Sequence, residues 1–169
     1  GTSSLRRQVQ LRHRFPALNL VPLRGNVDTR LRKLAAGEFD AIVLAVAGVK
    51  RLGYAARITE VLGDSVMVPA VGQGALGIVC RERDDATRRL LHVLDHAPTR
   101  TAVMAERGFL GTLGGSCQVP IAGRAQLSEE LTIKGLIASL DGTRVIEHEL
   151  TGSPERAAEW LSLTPARRR

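Results

Sequence analysis

The chain has 169 residues, 44% of them hydrophobic and 3% aromatic, enough for an aliphatic core in one ordinary domain or two small ones. No stretch approaches the ~20 uninterrupted apolar residues of a membrane span. The polar, basic opening Gly1-Thr2-Ser3-Ser4-Leu5-Arg6-Arg7 is not a signal peptide, and two cysteines of different character make no disulfide framework, so a cytoplasmic protein is expected.

Residues 4–14 predict a helix, with Ser3 or Ser4 as N-cap and Leu5 and Val9 four apart. Residues 19–23 read as a short buried strand. After Arg24-Gly25-Asn26 a second helix is expected over 27–36, with Val27, Leu31, Leu34 and Ala35 on one face and Gly37 closing it. Residues 40–45 are the clearest strand pattern, followed by a helix over 47–62 broken near Gly53 and a strand at 66–68. Strands alternating with helices at these spacings predict an α/β fold with a parallel sheet.

Val71-Gly72-Gln73-Gly74-Ala75 reads as a hinge leading into a strand at 76–80, where Cys80 is expected in the core. A helix over 84–94 should turn Leu90, Leu91 and Leu94 inward. His92 and His96, four apart on it, lack further ligands for a metal site, and no metal is expected. Pro98 suits the first turn of a long helix reaching residue 113. Three strand-like runs follow at 121–127, 131–140 and 144–150, with a hairpin signal at Asp141-Gly142 and a closing helix over 154–161. This last part reads as a small α+β unit with an antiparallel sheet.

The formal charge of +7 and a pI near 10.6 call for an acidic partner. The basic residues lie apart, at separate loop–helix junctions, and the only stacking aromatics are Phe15, Phe39, Tyr54, Phe109 and Trp160. That argues against nucleic acid and for small carboxylates. Arg6 and Arg7 follow Thr2, Ser3 and Ser4; Arg24 precedes a Gly-Asn turn; Arg30 lies early in the second helix; Lys50 and Arg51 follow the clearest strand. In open α/β sheets ligands bind beyond the carboxyl ends of the strands, at helix N-termini. Several guanidiniums there would form a cradle for a polycarboxylate. Arg12, Arg14, Arg32, Arg88 and Arg89 read as surface charges.

Gly114-Gly115-Ser116-Cys117-Gln118-Val119-Pro120 sets a thiol on a glycine-loosened loop, where it could be a nucleophile, an attachment point or a small hydrophobe. Taken in order, Gly1-Thr2-Ser3-Ser4-Leu5-Arg6-Arg7, Leu23-Arg24-Gly25-Asn26-Val27-Asp28-Thr29-Arg30-Leu31, Leu44-Ala45-Val46-Ala47-Gly48, Lys50-Arg51-Leu52-Gly53, Pro69-Ala70-Val71-Gly72-Gln73-Gly74 and Gly115-Ser116-Cys117-Gln118-Val119-Pro120 resemble the porphobilinogen deaminase family, the hydroxymethylbilane synthases.

The resemblance implies a transferase of tetrapyrrole biosynthesis. Four porphobilinogen molecules condense head to tail, with loss of ammonia, into a linear tetrapyrrole. It implies a periplasmic-binding-protein-like parallel-sheet domain, with most of domain two in 1–70, a crossover returning to domain one in 71–95, and domain three in 96–169. Cys117 would carry a dipyrromethane cofactor. Thr2, Ser3, Ser4, Arg6, Arg7, Arg24, Asn26 and Arg30 would bind cofactor and growing chain, Arg51 the incoming substrate, and Leu44, Ala45, Gln73 and Gly74 would line the cleft. The family's catalytic aspartate would lie in the missing N-terminal part, and no aspartate here can be assigned its role; Asp28 and Asp40 read as helix and strand starts. Both ends read as cut, so the chain is expected to be a C-terminal portion, inactive alone and monomeric when complete. A non-catalytic module holding an acidic ligand is the rival reading.

Overall fold

The computed structural model describes residues 1–114 and 119–154. The closing helix expected over 154–161 falls, beyond its first residue, outside the described residues, as does Cys117.

Helix α1, Leu5–Arg14, starts after Ser4, whose extended backbone marks the cap, and ends in a basic last turn that suits the helix dipole. Helix α2, Val27–Ala35, is capped by Asn26, whose side-chain oxygen accepts the Thr29 N–H at 2.9 Å. The left-handed Gly37 (φ +76°) lies just beyond its end. Helix α3, Val46–Arg51, is shorter than the expected 47–62 because the chain turns left-handed at Gly53 (φ +78°) and resumes only as a single 3-10 turn, Ala55–Arg57. Asp84 caps α4, Asp85–Leu91, by accepting the Thr87 N–H at 3.0 Å. A long α5, Ala97–Thr112, has its proline in the first turn.

Strands β1 (Ile121–Leu127), β2 (Leu131–Ala138) and β3 (Val145–Gly152) form an antiparallel sheet in the order β1-β2-β3. Ser139, Asp141 and Thr143 tie the β2–β3 turn, and Gly142 there is left-handed (φ +76°). Donation by the Ser139 hydroxyl, then by the Thr143 N–H and hydroxyl, lowers the Asp141 carboxyl to about 2.

Alternation along the strands supplies two apolar faces. On one, Ala102, Ala105 and Phe109 of α5 pack against Ala125, Leu127, Leu131 and Ile133. Gly123 and Gly135 are directly paired, and the Phe109 ring sits over both: a Cβ on Gly135 would lie 2.6 Å from the ring. Neither glycine has a positive φ, so the ring's close approach accounts for them. On the other face, Val9 of α1 shares a core with Val68, Ala122, Leu136 and Ala138. Glu147 on β3 bridges Arg14 of α1 at 2.9 Å and Lys134 of β2 at 2.8 Å, and Arg124 of β1 reaches Asp64 at 3.0 Å. The sheet is thus the common floor for α5 and α1.

None of the strands expected at 19–23, 40–45, 66–68 and 76–80 forms a laddered strand. The first two make only isolated bonds: Pro22 has no N–H to donate, each meets residues 1–3 at two points, and the Val43 carbonyl also accepts from Arg7. At 66–68, Val68 pairs with a side chain: its N–H donates to Gln10 Oε1 at 2.7 Å and its carbonyl accepts from Gln10 Nε2 at 3.0 Å. Residues 76–79 meet no partner surface, Val79 being 94% exposed, and Cys80 is half-buried rather than core. Leu90 and Leu94, expected inward, are exposed as well. An apolar pattern marks a face, and burial needs a second surface to meet it.

Candidate functional site

Residues 1–3 lie between 21–23 and 41–43. The Gly1 amino group donates to the Ala41 carbonyl at 2.7 Å, the Val43 N–H to the Gly1 carbonyl at 3.2 Å, and the Thr2 N–H to the Val21 carbonyl at 2.9 Å. The Ser3 hydroxyl donates to the Leu23 carbonyl at 2.9 Å. The three segments run parallel, and each passes directly into a helix, α1, α2 or α3. Three helix N-termini therefore open at one edge, the arrangement that favours anions.

Arginines converge on that edge. Arg7, buried, donates to the Val43 carbonyl at 2.7 Å, and Arg30 Nε folds back onto the Gly25 carbonyl at 2.7 Å. Arg6 donates to the Val68 carbonyl at 2.9 Å and to Gln73 Oε1 at 3.3 Å. Burial, then the neighbouring Arg7 charge, brings Arg6 down to about 10; burial, then Arg30, lowers Arg7. Arg6, Arg7, Arg24, Arg30 and Arg51 have no ion-pair partner among the described residues; of the arginines read as surface charges, Arg14 and Arg88 each hold a carboxylate, while Arg12, Arg32 and Arg89 hold none among the described residues. The Arg6, Arg7 and Arg30 guanidiniums thus lie close enough for their charges to act on one another, and their hydrogen bonds among the described residues go to uncharged oxygens.

The other expected site residues are placed as follows. Thr2 is buried, its hydroxyl oxygen accepting the Ser4 N–H at 3.2 Å, so the Thr2 and Ser3 hydroxyls shape the turn. Ser4 and Ala45 sit at the N-caps of α1 and α3 without side-chain cap bonds, and Leu44 and Ala45 are half-buried. Asn26 is engaged in its own cap. Arg24 and Arg51 are exposed, and no hydrogen bond joins either to the Arg6–Arg7–Arg30 group among the described residues. Gln73 and Gly74 line a cleft of about 320 Å³ together with Thr99, Glu106 and Arg124. No group of three His, Cys, Asp or Glu side chains gathers to hold a metal among the described residues; His96 Nδ1 instead pairs with the Thr99 hydroxyl at 2.8 Å.

Sequence reasoning missed Gln10 and Glu106. Gln10 is fully buried between Val9 and Leu11, and Glu106 is a buried carboxylate beside Ala105. For Glu106 the signal was a polar residue whose neighbours three and four away, Ala102, Val103, Phe109 and Leu110, are apolar; Gln10 has Arg6, Arg7, His13 and Arg14 at those spacings and gave no such signal.

Two family models match the chain. One, described as porphobilinogen deaminase, dipyromethane cofactor binding domain, covers residues 1–89; the other, described as porphobilinogen deaminase, C-terminal domain, covers residues 100–163. The chain belongs to the porphobilinogen deaminase family. It is 58% identical over 159 residues to a porphobilinogen deaminase of Nitratidesulfovibrio vulgaris (strain Hildenborough), covering 93% of this chain and 50% of that protein. To that of Nitrosomonas europaea it is 54% identical over 156 residues, covering 92% and 51%. To that of Prochlorococcus marinus (strain MIT 9312) it is 47% identical over 166 residues, covering 96% and 52%. The chain spans about half the length of the curated relatives it matches.

Proposed function

We propose that this chain forms the acid-binding half of a porphobilinogen deaminase, a transferase that condenses four porphobilinogen molecules into linear hydroxymethylbilane. The observation that carries this reading is the cluster of Arg6, Arg7 and Arg30, uncompensated among the described residues, at the convergence of three helix starts. Every ring of the product brings two carboxylates, and a fixed set of cations is what such a chain requires.

The residues present fit a dipyrromethane cofactor, whose acetate and propionate arms match guanidiniums with no carboxylate partner among the described residues. When bound, it supplies the pyrrole onto which the substrate rings are added. Cys117 would hold it through a thioether, keeping the growing chain in place between additions. Arg6, Arg7 and Arg30 would neutralise its acid arms, Arg24 and Arg51 those of later rings, and Gln73 and Gly74 would border the cleft.

In the domain plan supporting this reading, residues 1–70 are most of one periplasmic-binding-protein-like domain and 71–95 return toward a first domain. Residues 96–169 form a third. The exposed apolar run 76–79 and the outward Leu90 and Leu94 suit a segment completed by further chain. No described helix is long and apolar enough to cross a membrane, and a cytoplasmic monomer is proposed.

Mass spectrometry of the protein produced together with a deaminase N-terminal half tests this directly. A two-pyrrole adduct on Cys117, absent from Cys117→Ala although that variant keeps its fold, is expected. An unmodified thiol in a folded, complete protein would instead favour a non-catalytic acid-binding module. Arg24→Leu should stall chain growth, and unchanged bilane output would remove Arg24 from the cradle.

A further inference from the structure

We infer that Glu106 is a positioning residue: its buried carboxylate fixes the 69–75 hinge so that Gln73 meets the Arg6 guanidinium. The inference rests on reading the arginine cluster as the acid-binding site.

Glu106 lies in the middle of α5 and is 7% exposed. Oε2 accepts the Gly72 N–H at 2.5 Å and Oε1 the Ala125 N–H at 2.8 Å. One side chain thus joins α5, the hinge and β1. The outer edge of β1 begins to pair with the hinge, the Gly123 N–H donating to the Pro69 carbonyl at 3.0 Å. Two residues on, the hinge turns away, and the carboxylate takes the place of the missing carbonyl opposite Ala125.

The bond to Gly72 has a directional consequence. Gly72 (φ +69°) and Gly74 (φ +92°) are both left-handed and bracket Gln73. Tight turns hold this stretch, the Gln73 N–H donating to the Ala70 carbonyl at 3.0 Å and the Ala75 N–H to the Gly72 carbonyl at 3.1 Å. Where Gly72 sits therefore decides where the Gln73 side chain points, and Gln73 Oε1 receives Arg6 Nη2. The helix that precedes Cys117 in the sequence is in this way linked to the arginine cluster through Glu106, Gly72, Gln73 and Arg6. Only a carboxylate offers two acceptors on so short a stem; an amide would turn its NH₂ toward one of the two N–H donors.

The test uses the 169-residue chain, with NMR signals for the Gly72 and Gln73 amides and the Arg6 guanidinium. Glu106→Gln and Glu106→Asp are compared with Ile133→Val, which loosens the same helix–sheet core without touching the carboxylate. Calorimetry with a synthetic dipyrromethane bearing acetate and propionate arms supplies a second readout. In both Glu106 variants Gly72 exchange should rise ~10-fold or more, Arg6 signals should shift, and the probe should bind ~10-fold more weakly. Ile133→Val should leave all three unchanged.

Unaltered Gly72 and Arg6 signals in a folded variant overturn the inference. So does exchange that rises throughout the chain rather than at Gly72 and its neighbours, or loss of fold in both Glu106 variants, since either assigns Glu106 to the scaffold. Normal probe binding despite shifted signals also overturns it. If the unsubstituted chain ignores the probe, the acid-site reading fails, and the Gly72 and Arg6 signals alone still decide the role of Glu106.

Discussion

The sheet region (β1–β3 with α5) and the arginine edge (residues 1–74) satisfy their backbones by opposite means. In the sheet, main chain pairs with main chain in register, and the side chains are left to pack: Phe109 over Gly123 and Gly135, Leu131 and Ile133 under Ala105. At the arginine edge, side chains do much of the pairing. Gln10 stands in for a neighbouring strand at Val68, and Arg6, Arg7 and Arg30 cover carbonyls. A ladder fixes geometry without charge. A carbonyl-bound guanidinium fixes geometry and keeps its charge, so this edge is tied down and still positive.

Leu136→Ala should have the largest effect, because Leu136 is fully buried in the core shared by the sheet and α1. A loss of about 3 kcal/mol is expected by urea unfolding. A loss below ~0.5 kcal/mol would mean that the two regions do not share a core. Gly135→Val should cost about 2 kcal/mol by driving a side chain into the Phe109 ring, with near-ultraviolet dichroism reporting the displaced aromatic.

Arg7→Met takes the comparison to the other region. It removes a buried charge that lowers its neighbour Arg6, so stability should change by no more than about 1 kcal/mol while polycarboxylate binding weakens ~10-fold or more. Undiminished binding in calorimetry would break the claim that this edge is built for anions. Burial pushes the Glu147 carboxyl up, but hydrogen bonds from Lys134 and Arg14 outweigh it, and the group lies below its ordinary value of 4.5. A carboxyl lowered on folding stabilises above its unfolded value and loses that contribution as pH falls through the folded one. Glu147→Gln should therefore cost about 1 kcal/mol at neutral pH, with the difference from the unsubstituted chain shrinking below about pH 4. A constant difference down to pH 2 would count against the bridge. Val79→Ser, at a residue 94% exposed, should shift stability by less than about 0.5 kcal/mol.

Local signals were legible wherever the local chain supplies its own partner. Helices α2 and α4 start within one residue of their expected first positions, and Gly37 and Gly53 fall where α2 and α3 were expected to end or break. The Asp141-Gly142 hairpin closes as the residues suggest, and all three strands of the antiparallel sheet lie within two residues of their expected limits. Adjacent antiparallel strands need only a short turn to find one another. The parallel strands were not legible in this way. Their patterns at 19–23, 40–45 and 76–80 specify apolar residues, but a parallel strand depends on neighbours distant in sequence. The structure gives the first two only scattered bonds and, among the described residues, the third none.

By itself the sequence determined the helix starts, the antiparallel sheet, the basic character of the loop–helix junctions and the family. All of these are written in short stretches whose physics is complete within a few residues. Tertiary structure alone decided that Arg6, Arg7 and Arg30 would crowd together, that Gln10 would serve as a strand edge, and that Glu106 would grip the hinge. Each of those depends on groups distant in sequence being brought together, where burial strips away water and makes the choice of partner decisive.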